Sequence, residues 1–499
     1  MWRLSLLLLS CTLLLSFGDE KISAELRSTL FSNANKDATE NIWVTFKDRG
    51  SNPAKSPVSE KAMNRRKRNG IINGYNEMVS EEYISSIMGS LPHVIVRGRS
   101  EWLNAISLAN VSSSEVTLLQ SLDFISKIDR VGRYVKITRE ARDISPRAYK
   151  SSDYGATYTQ LNQINVIEAH NKGFFGQNVV IAVLDSGFRT THRAFRDIKI
   201  LKTFDFVNNR VEVDNTPTDP RNQFHHGTQV LSTIGGFDNG SFIGAAFKAE
   251  FLLAKTESLH FESQVEEDFM VMGIEWAEKN GADILSSSLG YRDWWKPTEY
   301  DGRTSRTSVV VDIATDFGLT CVISAGNEGD LGISVPADAF KVISVGSVNA
   351  NGKLSYFSSM GPTSDNRIKP EVVAMGGDAS VVSVTSNDLY ARNSGTSFSA
   401  PIAAGAIAVL LSAHPTYTAM NLRHAILNTS NNAATPNNQY GWGLLDIKKA
   451  IDFPCGDCAP FGKCVEEKCE CDQDHYGELC EIERFWFLKL VLKLFLFSL

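Results

Sequence analysis

The sequence is poor in three features that would each have indicated a class of protein. No stretch combines clustered Lys and Arg with interleaved aromatic residues, so we expect no nucleic-acid partner. The apolar runs at the two ends, Leu4–Phe17 and Phe485–Leu499, are shorter than the roughly 20 residues that span a membrane as a helix. No low-complexity tract is present, and an apolar content of 43% is ordinary for globular protein. We therefore expect several folded domains, one of them large enough for a sizeable core.

The two apolar ends have different interpretations. Arg3 precedes the first run, and Ser16 and Gly18 supply small residues at its end, which predicts a secretory signal peptide at residues 1–18. The alternative, a membrane anchor, is disfavoured because the run is short and a cleavage site follows it. In the tail, residues 483–499, Lys489 and Lys493 fall on one helix face. An interfacial helix and an ill-defined terminus both fit, so membrane association stays open.

Cysteine is rare outside one short segment. Six of the eight cysteines lie between Cys455 and Cys480, and only Cys11 and Cys321 lie elsewhere. A segment of this size buries too little apolar surface to fold without bridges, and a zinc site would need a second ligand pair that is missing. Fifteen disulfide pairings are possible in principle. Cys321 lies inside an apolar strand pattern, where we expect it to be a buried small hydrophobe.

The region from 148 to 453 alternates short apolar runs with helical stretches. This alternation is typical of βαβ units and predicts an α/β domain with a parallel sheet. Active sites in such sheets lie at the carboxyl ends of the strands. The runs are Val179–Leu184, Thr228–Ile234, Phe251–Ala254, Val271–Lys279, Ile284–Ser287, Val309–Phe317, Thr320–Ser324 and Val342–Val345.

Three motifs in this region carry residues of a nucleophilic site. Asp185 ends an apolar strand, His226 begins a His-Gly-Thr segment, and Ser397 lies in Gly-Thr-Ser at the start of an apolar helix. A serine hydroxyl needs a base within hydrogen-bond reach and a third group that orients the base. Each residue alone is unremarkable, because strand-ending Asp, turn His and helix-capping Ser are common. Their joint presence predicts a triad.

A fourth motif is the turn Ser324–Gly329, which contains Asn327. With it, the order Asp, His, Asn, Ser resembles the subtilisin-like serine proteases, or subtilases. The one local departure is His225, where the family usually has glycine. The resemblance implies that Asp185, His226 and Ser397 are catalytic, that Asn327 stabilises the oxyanion, and that no cofactor is needed. It also implies two walls of a substrate-binding cleft, formed by Ser288, Leu289, Gly290, Ala325 and Gly326.

The resemblance extends to the flanking segments. Residues 19–147 resemble the family's inhibitory propeptides, which implies a small α+β unit, a zymogen, and a maturation cut between about residues 139 and 151. Residues 454–482 resemble a disulfide-rich EGF-like module, which implies the pairs Cys455–Cys464, Cys458–Cys469 and Cys471–Cys480. The expected fold is thus a subtilisin-like parallel sheet flanked by helices, between these two small units. Structural calcium is possible, but its ligands are unknown.

Two other functions compete with this interpretation. A catalytically silent scaffold could present the EGF-like module for adhesion, but the triad is complete. An α/β-hydrolase esterase would need a Gly-x-Ser-x-Gly elbow and the order Ser, Asp, His, and the chain has neither. We therefore expect a secreted, monomeric endopeptidase acting on protein or peptide substrates, with its propeptide as inhibitor.

Three surface patterns remain. The basic run Arg65–Arg68 is either a processing site or, as we favour, a solvated basic helix face. The acidic residues Glu262, Glu266, Glu267 and Asp268 are either a charged helix start or a subsite for basic substrates. The triplets at Asn110, Asn239 and Asn428 are candidate glycosylation sites.

Charge is unevenly distributed along the chain. Residues 19–147 carry 20 Lys and Arg against 16 Asp and Glu, a net charge of +4. Arg3 adds one positive charge, so the remainder carries −12 of the total of −7. We expect the basic front part to pair with the acidic rest.

Overall fold

The computed structural model describes residues 21–23, 26–27, 39–51, 53–71, 76–131, 153–260 and 263–453, and the backbone of four short strands beyond them. The signal peptide, the maturation segment and the tail lie outside the described residues, as do the side chains of the six clustered cysteines. Two folded units are present, each built around its own sheet.

The N-terminal unit is a four-stranded antiparallel sheet with two helices packed on it. The sheet order is β2-β3-β1-β4. Its elements are β1 Thr39–Phe46, α1 Glu60–Arg68, α2 Glu81–Ser90, β2 Ile95–Ser100, β3 Ala105–Ser112, α3 Ser113–Ser121 and β4 Ile125–Val131. Ile42 and Val44, on one face of β1, join Ile106, Leu108 and other apolar residues in the core. Helix α1 is inserted between β1 and α2, apart from the unit's helix–sheet core.

The larger unit contains a seven-stranded parallel sheet in the order β13-β12-β11-β10-β5-β9-β6. All of its strands except the edge strand β6 are buried along almost their whole length, because helices cover both faces of the sheet. The strands of this unit are β5 Val180–Asp185, β6 Lys199–Asp205, β7 Phe237–Asp238, β8 Phe242–Ile243, β9 Glu250–Lys255, β10 Ile284–Ser287, β11 Thr320–Ser324, β12 Ile343–Val348, β13 Val372–Met375, β14 Ala379–Val382 and β15 Tyr390–Asn393.

Eight α-helices of this unit are described. They are α4 Tyr158–Asn162, α5 Val166–Asn171, α6 His225–Gly235, α7 Val265–Lys279, α8 Arg306–Asp316, α9 Thr396–Ala413, α10 Ala419–Thr429 and α11 Ile447–Ile451. Helix α9 alone among the described helices is long and apolar enough to cross a membrane by composition. It is instead the central core helix, with 89% of its apolar window buried.

The predicted parallel sheet flanked by helices is confirmed. The apolar runs chosen from the sequence fall on strands, or on helices α6, α7 and α8. Cys321 lies in β11, 1% exposed, and burial raises the pKa of its thiol to about 12, so the prediction of an unreactive buried residue is also confirmed.

The cysteine-rich segment is described only as backbone. Strands β16 Gly462–Val465 and β17 Lys468–Cys471 form one antiparallel hairpin, and β18 His475–Tyr476 pairs with β19 Ile482–Glu483. Short paired strands of this kind are compatible with a small bridged module. The predicted disulfides lie outside the described side chains.

Candidate active site

Asp185 is the last residue of β5, at the carboxyl edge of the parallel sheet. Its side chain is fully buried. Oδ1 accepts hydrogen bonds from the Ser186 amide at 2.7 Å and the Ser186 hydroxyl at 3.2 Å. The same oxygen lies 2.7 Å from Nδ1 of His226. A buried carboxylate in this position fixes the orientation of the imidazole ring.

His226 lies in the first turn of α6, and its side chain is 31% exposed. The glycine after it allows the helix to approach the strand end. A Cβ on Gly227 would lie 2.2 Å from the carbonyl oxygen of Gly187 and 3.0 Å from Cβ of Asp185. Glycine after His226 is therefore required for the close packing that brings His226 to Asp185, and is more than a turn signal.

Ser397 lies in the first turn of α9 and is 8% exposed. The next residue, Phe398, has its ring centroid 6.0 Å from that of His226, which places the helix start beside the imidazole. The Ser397 hydroxyl donates to the carbonyl oxygen of Ser288 at 3.3 Å in this state.

Pro401 is the sixth residue of α9, inside the helix. It has no N–H, so the carbonyl of Ser397, four residues earlier, loses its usual helical donor. The Ser288 hydroxyl donates to that carbonyl at 2.8 Å instead. Ser288 and Ser397 thus exchange two hydrogen bonds, and the helix start is tied to the segment that follows β10.

Asn327 follows β11 at the same edge of the sheet. Its Oδ1 accepts from the Thr396 amide at 2.8 Å and from the Thr396 hydroxyl at 3.0 Å. Because a backbone N–H can only donate, these contacts identify the oxygen end of the amide and make Nδ2 the donor end. The motifs in the sequence did not single out Thr396. A hydroxyl next to the candidate nucleophile was the only signal available for its role.

The predicted cleft walls lie next to each other. On one side Ser288 and Leu289 are buried and Gly290 is exposed, and on the other Ala325 is buried. Ser334 lies between the walls, because its amide donates to Ala325 and a Cβ on Gly290 would meet its Cβ at 2.9 Å.

The floor between these walls contains a carboxylate that the sequence did not indicate. Oε2 of Glu328 accepts from the hydroxyls of Ser334 at 3.2 Å and Ser359 at 2.9 Å. A Cβ on Gly326 would lie 2.4 Å from the same oxygen, so glycine is required there.

No metal-ligand cluster stands out within the described ranges, where no group of three or more His, Cys, Asp or Glu side chains could hold an ion. Two nearby carboxylates already have protein cations. Lys255 Nζ lies 2.7 Å from Asp219 and 3.3 Å from Asp205, and Arg210 Nε lies 3.3 Å from Asp205. This cluster therefore does not fit a calcium ion, which would compete with the two cations for the same oxygens.

Comparison with known protein families identifies the family of this chain. A sequence model described as the subtilase family, Peptidase S8, matches residues 176–443. The chain belongs to the subtilase family. A second model, the Peptidase S8 propeptide domain of Bacteroidota, matches residues 41–146 and so covers most of the N-terminal unit.

Individual relatives agree with this assignment. Subtilisin E of Bacillus subtilis is 31% identical over 329 residues, covering 63% of this chain and 78% of that protein. Subtilisin of Bacillus pumilus is 31% identical over 298 residues, covering 58% and 97%. The crystal structure of fervidolysin from Fervidobacterium pennivorans, described as a keratinolytic enzyme related to subtilisin, shares the fold with a TM-score of 0.61. It is 19% identical, with 87% of this chain and 63% of that chain covered.

These findings make the chain a subtilisin-like serine-type endopeptidase with a propeptide domain. The predicted subtilase family, the parallel-sheet fold with its N-terminal propeptide domain, and the enzyme class are confirmed. The roles of individual residues are argued below as proposals.

The propeptide domain docks on helices α7 and α8 of this subtilase. The carboxylate of Asp268 accepts from Arg97 Nη2 and the Ser107 hydroxyl, both at 2.6 Å, and from the indole of Trp43. Arg306 of α8 pairs with Asp129 of the propeptide. The Arg97–Asp268 pair has the polarity expected for a basic front part and an acidic rest, whereas the Arg306–Asp129 pair has the reverse polarity.

Glu275 lies further along α7 than Asp268 and binds the turn that follows β2. It accepts from the Ser100 hydroxyl at 2.5 Å and from the amides of Glu101 at 3.0 Å and Trp102 at 3.3 Å. Burial raises the pKa of Glu275 to about 7, and the ammonium of Lys279, 4.0 Å away, opposes that rise.

The acidic cluster differs from its predicted surface setting. Glu262 lies outside the described residues. Glu266, Glu267 and Asp268 occupy the first turn of α7 as expected, but all three are buried. Glu266 accepts from the Ser258 amide at 2.9 Å and Glu267 from the Trp294 indole at 2.5 Å. These carboxylates bind protein donors, because burial without partners would be costly.

The basic run also needs correction. Arg65–Arg68 ends helix α1 as predicted, but it is not a uniformly solvated face. Arg65 and Arg66 are buried against the peptidase unit, and only Lys67 and Arg68 are exposed. The three candidate glycosylation residues, Asn110, Asn239 and Asn428, are exposed.

Proposed function

We propose that this subtilase is a secreted zymogen that hydrolyses peptide bonds in proteins through Asp185, His226 and Ser397. The observation that supports it best is the 2.7 Å contact between Asp185 and His226, located beside the start of the helix that carries Ser397. The proposal is further supported by the distance of these residues in sequence, 41 and 171 positions, because chance proximity is less expected for residues so far apart.

In the proposed reaction, the Ser397 hydroxyl turns from the Ser288 carbonyl towards His226. Its oxygen bonds to the substrate carbonyl carbon as His226 takes its proton, and Asp185 stabilises the imidazolium. Collapse of the tetrahedral intermediate breaks the C–N bond, and His226 gives the proton to the leaving amine. A water molecule then attacks the acyl-enzyme, loses a proton to His226, and releases the acid and Ser397.

Negative charge on the substrate oxygen needs donors in place before the reaction. We assign this role to Nδ2 of Asn327, whose oxygen end is held by Thr396. The Ser397 amide is a second candidate, because the first N–H groups of a helix have no intrahelical acceptor. Ser288, Leu289 and Gly290 would pair with the substrate backbone and form one wall of the cleft, and Ala325 and Gly326 would form the other.

The proposal includes the domain organisation. We assign residues 1–18 to a signal peptide, 19–147 to the inhibitory propeptide, 148–453 to the peptidase domain, 454–482 to an EGF-like module and 483–499 to an apolar tail. The module would contain the pairs Cys455–Cys464, Cys458–Cys469 and Cys471–Cys480. The mature enzyme would be a monomer, glycosylated at exposed Asn residues in the secretory pathway.

The experiment that tests the proposed chemistry compares two serines in the first turn of α9, Ser397 and Ser399. Ser397→Ala should lower turnover on a peptide substrate by on the order of 10⁶, because the nucleophile is lost. Ser399→Ala is the control, since the Ser399 hydroxyl only donates to the Thr396 carbonyl at 3.0 Å. If the turnover of Ser397→Ala instead stays within roughly tenfold of the wild-type value, Ser397 is not the nucleophile.

A further inference from the structure

Helix α1 contacts the peptidase unit at a place remote from the active site. Helix α7 returns from the carboxyl edge of the sheet, where Asp185 lies, to the opposite edge, where β10 begins. At that opposite edge the Ser59 amide donates to the carbonyl of Lys279 at 2.9 Å. Lys61 of α1 pairs with Asp283 at 2.7 Å. The propeptide therefore has a contact that does not depend on the cleft.

Arg65 is the centre of this contact. Its Nη2 lies 2.5 Å from Oε1 of Glu278 and 3.0 Å from the Glu278 carbonyl. Its Nε donates to the carbonyl of Phe317 at 3.2 Å, and Nη1 donates to that of Ala282. These carbonyls lie at the C-terminal ends of α7 and α8, where the helix dipoles place partial negative charge. Arg65 is 1% exposed.

Arg66 binds the other side of the same carboxylate. Its Nε lies 2.9 Å from Oε1 of Glu278 and its Nη2 lies 2.6 Å from Oε2. Its guanidinium lies over the ring of Phe317, 4.7 Å from the centroid. The Glu278 side chain is fully buried, and both of its described cation partners come from the propeptide. Besides the Phe317 ring, the described polar groups on the peptidase side are acceptors: Glu278, Asp283 and the carbonyl groups. We call this set the arginine socket.

Helix α1 is not packed tightly along its whole length. A cavity of about 570 Å³ lies between α1 and the peptidase unit and is lined by Glu60, Asn64 and Arg68, among others. A buried carboxylate left without its cations is strongly unfavourable, so leaving the socket should be costly for the propeptide.

We propose that the arginine socket is a retention site for the cleaved propeptide: it binds the adjacent arginines of α1 and delays release of the inhibitor after the chain is cut. This inference rests on the proposed function, since it needs a cut between the two units. The basic run is therefore an anchor in the zymogen, and the partner that the socket fits is a helix with two neighbouring arginines.

The test follows propeptide release from the self-cut full-length protein. Arg65→Ala/Arg66→Ala should release the propeptide at least about 100-fold faster than wild type, because each substitution breaks a buried ion pair. Activity should appear correspondingly earlier after dilution. The matched control, Lys47→Ala/Lys67→Ala, removes two exposed positive charges from the same unit. It should release the propeptide within about threefold of wild type, since exposed charges contribute little. Equal release rates for the two double variants would overturn the proposal.

Two further measurements keep the proposal testable if the arginine variant does not fold. Glu278→Gln removes the charge from the socket side and should also speed release, whereas an unchanged rate would count against the socket. In the uncut Ser397→Ala chain, amides of α1 should be protected from hydrogen exchange; rapid exchange there, with the sheet β1–β4 still protected, would refute a docked helix. The last measurement needs no cleavage, so a failure of self-processing is distinguishable from a failure of the socket.

Discussion

At the scale of single residues, the site depends on side chains that hold other side chains. Ser288 supplies the hydrogen bond that Pro401 cannot make to the Ser397 carbonyl. Thr396 holds the oxygen of Asn327, which makes the amide nitrogen the donor end in the proposed oxyanion contact. Pre-set donors of this kind act mainly on the transition state, because they need no reorganisation during the reaction.

Substitution of Asn327 should therefore affect turnover more than binding. Asn327→Ala should lower kcat by roughly 10²- to 10³-fold with a small change in KM. Thr396→Val, which loses the hydroxyl but keeps the amide contact, should cause a smaller loss, and Thr396→Ser should restore most of it. Steady-state kinetics on one peptide measures all three variants, and an unchanged kcat for Asn327→Ala would remove it from the oxyanion role.

A second residue-scale prediction concerns Glu275 in the propeptide interface. Burial raises its pKa to about 7, so the protonated form is favoured in the docked protein. Its stabilising contribution is present below its ordinary pKa of 4.5 and is lost as pH rises through about 7. In the uncut Ser397→Ala protein, the melting temperature should fall over this window, and less so in Glu275→Gln. Parallel pH profiles of the two proteins would contradict the assignment to Glu275.

At the scale of elements, the site forms where the end of one strand lies beside the starts of two helices. Asp185 ends β5, His226 lies in the first turn of α6, and Ser397 lies in the first turn of α9. At Gly227 the backbone of α6 packs closely against the end of β5, because a Cβ there would lie 3.0 Å from Cβ of Asp185. Glycine within a helix usually lowers stability by about 1 kcal/mol relative to alanine. Gly227 is therefore unfavourable for the helix itself, and its value lies in the close packing that it allows.

Gly227→Ala should consequently destabilise the protein and abolish most activity, because its Cβ would overlap the backbone oxygen of Gly187. Gly89→Ala is the matched control: Gly89 is also helical, and a Cβ there would meet nothing within 4 Å. Thermal unfolding and a peptidase assay should show Gly89→Ala at or above wild-type stability with normal activity. A Gly227→Ala protein with wild-type activity would contradict the described approach of α6 to β5.

The sequence sufficed for the strands, the core helix and the candidate triad, because each depends on a local pattern. Asp185 follows an apolar run, and Ser397 precedes one. The position of Arg65 against Glu278 was not predictable in this way. The two residues are 213 positions apart, and a basic run looks the same whether it faces water or a buried carboxylate. The position of Glu328 was not predictable either. In the sequence it resembles an ordinary turn residue, and only the fold places it between the cleft walls.

At the scale of the whole molecule, the propeptide domain contacts the peptidase unit along α7, from its first turn to its last. Asp268 and Glu275 bind its sheet, and Glu278 binds helix α1. The arrangement explains why the front part is basic and the rest acidic: the peptidase unit supplies most of the carboxylates and the propeptide most of the cations. High salt should weaken the exposed part of this attraction more than the buried part.

The most direct test of the account is the maturation of the chain itself. The propeptide is tethered to the peptidase unit, which raises its effective concentration as a first substrate. Wild type and Ser397→Ala should be expressed alone in a host with no matching protease, and their N-termini sequenced.

The account predicts a new N-terminus between about residues 139 and 151 in wild type and an uncut Ser397→Ala chain. Cleavage of Ser397→Ala at the same place would contradict self-processing. A start at Asn69 would show instead that another enzyme cuts after the basic run.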